Sequence, residues 1–331
     1  MARVPSLEQQ TVAAIRSHYE LAAEDWRRPH LGASQIGKEC SRHLWYGFRW
    51  ALDPARQPKR PLSPKKLEQG WRDEDNRRGR LLRLFERGQR EEAWVVEDLR
   101  AIGCEVWDAD EHGRQWRVSL APHFGGSCDG VVRGLPEAPK TPHVLEVKTS
   151  NRDRFAELVA KGVRHAKPEH YAQMQVYMLG LQLDRAFYVA VCKDDDRIYT
   201  ERVHFDRPFA ELMVERAKRI VAAPEPPIRV GERHQFVCRF CDHYELCHGR
   251  TLAERNCRTC LSSTPMPDGT WRCDHLGRRV SDDEQRKGCD EHLYIPALLW
   301  WHGKAVDATD GDDRWVLYED GTRDQRKEIT R

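Results

Sequence analysis

The chain has 331 residues, enough for one sizeable domain and an appendage, and its 55 basic against 53 acidic residues leave a formal charge of +2 that says little about partners. The start, Met1-Ala2-Arg3-Val4-Pro5-Ser6, lacks an apolar signal core, and no stretch stays apolar long enough to span a bilayer, so neither secretion nor a membrane partner is expected. Eleven cysteines in such a chain point to metal ligands rather than to a disulfide framework.

Residues 6–26 have the spacing of an amphipathic helix. The Pro- and Lys-rich run 53–66 reads as a loop, with helices from there through about residue 99. Between Arg56 and Arg90 there are 12 Lys and Arg against 5 Asp and Glu. That excess could track a phosphate backbone, with nearby Trp and Phe as base-stacking surfaces, although a solvated helix face explains any single side chain equally well. A strand series opens at Cys104-Glu105-Val106-Trp107 and continues through 115–120, 130–133 and 144–149. Within it, Gly126-Ser127-Cys128-Asp129-Gly130 places an acid at a strand end, and Leu145-Glu146-Val147-Lys148-Thr149-Ser150 follows. Side chains alternate along a strand, so Glu146 and Lys148 share one face while Leu145 and Val147 anchor the other. An exposed strand of alternating charge would have the same pattern.

Pro168 suits a first helical turn, and the run from Glu169 to Leu179 reads as helix, with Gln173 and Tyr177 four apart on one face. Segments 186–192 and 198–205 return as strands, 209–222 is helical, and 315–322 is a hairpin. Helix, strands, helix, strands is the order of an α/β (α+β) fold with a mixed central sheet flanked by helices. No P-loop or nucleotide-binding Gly-rich loop is present, which excludes an intrinsic helicase and a nucleotide-dependent redox enzyme.

The cysteines fall into two sets. Cys238-Arg239-Phe240-Cys241 with Cys247 gives three clustered thiols that need a fourth ligand. Cys257-Arg258-Thr259-Cys260, Cys273, Cys289 and His292 offer five ligands for one four-coordinate zinc, either all-thiolate or with His292 in place of Cys273. So few apolar residues could not fold that segment unaided, which favours a small zinc-ribbon-like module. Cys104, Cys128 and Cys192 lie in apolar runs and read as small buried residues.

In order and distance, Asp129, Glu146-x-Lys148 and Gln173-x-x-x-Tyr177 resemble the RecB-like branch of the PD-(D/E)XK nuclease superfamily, with Cys128 where a Pro is usual. The resemblance runs from about Leu31 to Arg250. It implies a restriction-endonuclease-like core in which Asp129, Glu146 and the Val147 carbonyl hold Mg²⁺ or Mn²⁺. Lys148 would act on the attacking water and the developing charge, and Gln173 and Tyr177 would help hold the nucleic-acid backbone. Gly88 to Trp94 resembles the family's first motif, giving Glu92 the acidic position and Gln89 the place of a metal-binding His, for which Gln is a poor substitute. The segment Gly32 to Tyr46 is similar to the N-terminal part of iron–sulfur nucleases, among them CRISPR-associated RecB-like exonucleases and the AddB nuclease domain. That likeness makes Cys40 the fourth ligand with Cys238, Cys241 and Cys247 for a [4Fe-4S] cluster, although four thiolates suit Zn²⁺ equally well by ligand chemistry alone.

The expected organisation is a nuclease domain over 1–250, its two ends closed by the cluster, and a zinc module with hairpin over 251–331. The expected activity is metal-dependent exonuclease action on DNA, preferring single strands or free ends, in recombination, repair or phage DNA processing. A bacterial cytoplasm is the expected setting, on a bacterial or phage-encoded chain, with a helicase or single-strand annealing protein as partner. A structure-specific endonuclease and a non-catalytic iron–sulfur DNA-binding subunit are the alternatives.

Overall fold

The computed structural model describes residues 6–23, 27–53, 68, 78–309, 314–325 and 328–330. The first elements are helix α1 (Ser6–Leu21), strand β1 (Leu31–Gly32) and helices α2 (Ser41–Phe48) and α3 (Arg78–Ala101). Strands β2 (Glu105–Trp107), β3 (Arg117–Ala121), β4 (Phe124–Ser127), β5 (Gly130–Arg133) and β6 (His143–Ser150) follow. Helices α4 (Arg152–Ala166) and α5 (Pro168–Leu181), strands β7 (Arg185–Cys192) and β8 (Ile198–His204), and helix α6 (Arg207–Ala222) complete this part. The expected loop at 53–66 and most of the basic stretch after it lie outside the described residues.

Five strands form the central sheet in the order β2-β5-β6-β7-β8. Only β6 and β7 run parallel; the other neighbouring pairs are antiparallel. A parallel step needs a crossover, and α4 with α5 provides it. This is the mixed, helix-flanked sheet that the element order predicts. A smaller sheet, β1-β4-β3, sits beside it and delivers the chain to β5.

Strand alternation sets the two layers. Leu145 and Val147 join Val132, Phe187, Val189 and the α3 residues Val95, Val96 and Leu99 on one face. On the other, Val144, Ala186, Tyr188 and Ala190 pack with Met174, Met178, Met213 and Ile220 from α5 and α6. Each such apolar side chain contributes about 1.5–3 kcal/mol when fully buried. Helix α4 was not anticipated from the sequence. It starts where Asn151 accepts the Arg154 N–H at 3.1 Å, and it buries Phe155, Leu158 and Val163.

Beyond Arg250 lie two further sheets. One comprises β9 (Ser263–Pro265), β10 (Trp271–Cys273) and β11 (Arg278–Val280); the other comprises β12 (Ala305–Thr309), β13 (Trp315–Tyr318), β14 (Arg323–Gln325) and β15 (Glu328–Thr330). The expected hairpin is the antiparallel pair β13 and β14. Trp271, Val280, Tyr294, Leu298, Val316 and Tyr318 belong to the same apolar cluster as Leu44, Trp45 and Phe48 of α2. Buried Arg258 joins the two parts. Its guanidinium lies 3.6 Å from the Trp50 ring centroid and donates to the Phe48 carbonyl at 3.1 Å and the Pro29 carbonyl at 3.0 Å. Among the described residues, no helix is long and apolar enough to cross a membrane.

Candidate active site and metal centres

Asp129 sits where the chain passes from β4 to β5. Its Oδ2 accepts the Val147 N–H at 2.9 Å and lies 3.5 Å from Lys148 Nζ. Glu146, fully buried, is ion-paired through Oε1 with Lys148, whose ammonium also donates to the Val147 carbonyl at 3.0 Å. Glu146 Oε2 is buried with no hydrogen-bond partner. Glu92 reaches the same place from α3. It is half-buried and accepts from Gln115 Nε2 at 2.9 Å.

The electrostatics follow from three carboxylates sharing one lysine. Burial pushes Glu146 well above the ordinary carboxylate range; Lys148 opposes this, while Asp129 and Glu92 add to it. Burial first, then the Asp129 charge, pushes Glu92 up to about 7. Burial alone would lower the Lys148 pKa, but Glu146 and Asp129 outweigh it and hold the ammonium charged. An orphaned carboxylate oxygen amid surplus negative charge is costly. A hard divalent cation relieves both faults, and the donor set present, carboxylates and a carbonyl, is the one such ions prefer.

Gln173 and Tyr177 are both buried on α5. The Tyr177 hydroxyl donates to the Ser127 carbonyl at 2.7 Å, two residues before Asp129. Gly126 makes this approach feasible, since a Cβ there would collide with the Tyr177 hydroxyl. Gln89 is exposed. Two residues outside the sequence motifs lie beside these groups. Tyr188 on β7 is registered beside Glu146, and its hydroxyl lies 2.8 Å from His170 Nδ1. The available signal was the i, i+3, i+7 spacing of His170, Gln173 and Tyr177.

Cys40, Cys238, Cys241 and Cys247 line one cavity. Cys40 caps α2, its sulfur accepting the His43 N–H at 3.4 Å. Burial holds the Cys238 and Cys241 thiols above their ordinary range, Cys241 at about 11, with the neighbouring thiols adding to it. Two histidines that the sequence did not single out are also here. His43 Nδ1 lies 3.3 Å from Cys241 Sγ and 3.2 Å from His243 Nδ1. Four thiols on one cavity fit an iron–sulfur cluster by donor type.

Cys257, Cys260, Cys273, Cys289 and His292 line a second cavity. Cys257 and Cys260 bracket a tight turn capped by Asn256 and Thr259 in a reciprocal pair. Burial, then the charges of Cys260, Cys289 and Cys273, pushes Cys257 up to about 12. Cys273 accepts the Leu276 N–H at 3.4 Å. His292 places Nε2 3.1 Å from Thr259 Oγ1 and leaves a buried Nδ1 without a partner. The crowded thiols and that orphaned nitrogen fit zinc. Cys104, Cys128 and Cys192 are buried, as their apolar surroundings predict.

No protein-family model matches the chain, and no curated protein sequence does. Among solved structures, an alkaline exonuclease from Laribacter hongkongensis is similar over 62% of this chain and 91% of its own, at 16% identity and a TM-score of 0.37. A phage-related exonuclease from Haemophilus somnus 129PT is similar over 61% of this chain and 94% of its own, at 15% identity and a TM-score of 0.31. Resemblances this loose leave function to be argued from the cleft itself.

Proposed function

We propose that the chain is a Mg²⁺- or Mn²⁺-dependent deoxyribonuclease of the PD-(D/E)XK superfamily, in its RecB-like iron–sulfur branch. It hydrolyses phosphodiester bonds from DNA ends and prefers single strands. The observation that supports this most is the convergence of Asp129, Glu146 Oε1 and the Val147 carbonyl on the Lys148 ammonium, with Glu146 Oε2 buried and lacking a hydrogen-bond partner. Asp129, Glu146 and the Val147 carbonyl would hold the cation, which supplies positive charge at the scissile phosphate and lowers the pKa of water. Lys148 keeps its proton, orients the attacking water and neutralises charge growing on the phosphate. Glu92 adds a third carboxylate at the cleft edge. Tyr177 braces the Asp129 turn, and both it and Gln173 sit beside the backbone of the strand.

Helix α3 carries Leu81, Phe85 and Glu92 on one face, and Leu81 and Phe85 are 42% and 64% exposed. Exposed apolar side chains aligned with a site carboxylate offer bases a stacking surface. In this reading residues 1–250 are the nuclease domain, whose ends Cys40, Cys238, Cys241 and Cys247 tie together through a [4Fe-4S] cluster. Residues 251–331 are a module holding zinc through Cys257, Cys260 and Cys289 with Cys273 or His292. The setting is bacterial cytoplasmic recombination, repair or phage DNA processing, with a helicase or annealing protein presenting the DNA.

Purified protein with Mn²⁺ should degrade linear single strands and spare covalently closed circles. Rapid cutting of the circle would assign the site to an endonuclease instead.

A further inference from the structure

Tyr188 lies fully buried beside Glu146, and its hydroxyl has one partner, His170 Nδ1, at 2.8 Å. A buried phenol must place its hydrogen somewhere, and His170 Nδ1 is the one hydrogen-bond partner this hydroxyl has among the described residues. The hydroxyl therefore donates to Nδ1, which leaves the ring proton on Nε2. Burial, then the charges of Lys148 and Lys167, lowers the His170 pKa to about 3, so the ring stays neutral at working pH. As a whole residue His170 is half-buried. It stands one turn before Gln173 on the same face of α5, and the Lys148 charge acts on it.

We propose that His170, locked by Tyr188 as its Nε2–H tautomer, donates a hydrogen bond to a non-bridging phosphate oxygen of the strand held at the Asp129, Glu146 and Lys148 site. The proposal rests on the hydrolase reading above and adds a substrate-contacting residue to it. Tyr188 touches no substrate and acts through His170, so it is a positioning residue. A fixed neutral donor beside a lysine suits a phosphate, because it orients the anion without adding a second buried charge.

The test uses single-turnover cleavage of end-labelled single-stranded DNA with Mn²⁺ by wild type, His170→Ala, His170→Gln and Tyr188→Phe. In parallel, NMR of histidine-labelled protein reads the protonation of each His170 nitrogen. His170→Ala should lose roughly tenfold in kcat/KM, about one hydrogen bond to a charged group. His170→Gln places an amide N–H near the lost donor and should recover most of that loss. Tyr188→Phe should fall between them, and NMR should show Nδ1 unprotonated. Wild-type rates in His170→Ala, equal losses in the Ala and Gln variants, or a protonated Nδ1 would each overturn the proposal. An inactive wild type would overturn the hydrolase reading and this contact with it, and the NMR result would still decide separately whether the Tyr188 lock exists.

Discussion

Glu146 shows how far one residue can be read from a sequence. Its face was legible from alternation with Leu145 and Val147, and its alignment with Asp129 from the resemblance. Its complete burial and its orphaned oxygen depend on what covers the strand, which no local pattern encodes. Tyr188 was out of reach for the same reason, since it becomes a neighbour of Glu146 only through the parallel β6–β7 register. A pH dependence follows. Glu146 and Glu92 both have folded-state pKa values raised from 4.5, Glu92 to about 7. A carboxyl raised in this way binds its proton more tightly when folded, so its stabilising effect is complete below about pH 4.5 and is lost as pH rises through its folded value, about 7 for Glu92 and about 8 for Glu146. If Glu146 holds the proposed cation, cation and proton compete for its carboxylate. The rise in Tm caused by Mn²⁺ should therefore grow between pH 5.5 and 8 and vanish in Glu146→Gln. A shift independent of pH, or one kept by Glu146→Gln, would contradict this.

At the scale of elements, the strands of the central sheet and helix α5 were legible because alternation and a Pro start are local signals. Helix α4 was not. Its exposed face is crowded with charge, and Gly162, at φ 70°, interrupts its period. The coupling of α5 to the β4–β5 turn was equally hidden, since it depends on the missing side chain at Gly126. Gly126→Ala should force the Tyr177 hydroxyl off the Ser127 carbonyl, costing about 1–3 kcal/mol. Tyr177→Phe removes the atom that the new Cβ meets, so the double variant should regain part of that loss in a thermal unfolding cycle. Additive losses would show that the two residues do not press on each other.

For the whole molecule, spacing singled out Cys238, Cys241 and Cys247 and the run from Cys257 to His292, the resemblance added Cys40, and the structure gathers each set of candidate ligands around its own cavity. The histidines beside Cys241 were not legible, because nothing in a single His distinguishes a cavity wall from a surface. Nor did composition show that the C-terminal segment shares its core with α2 through Arg258 and Trp271. Protein prepared without oxygen should contain iron and acid-labile sulfide that Cys40→Ala loses, together with zinc that Cys257→Ala loses. Zinc alone in the anaerobic preparation would refute the cluster.

The hydrolytic role of the Asp129, Glu146 and Lys148 cleft is tested most directly by release of end label from linear single-stranded DNA, comparing wild type with folded Lys148→Ala in Mn²⁺. In the proposed function the ammonium of Lys148 acts on the water and the phosphate, whereas strand binding would be spread over many basic contacts. Wild type should release label only when the divalent ion is present. Lys148→Ala should bind DNA with near wild-type affinity yet release at least about a hundredfold less, in line with the loss of a single transition-state donor. Undiminished release by the Lys148→Ala protein would contradict the assignment.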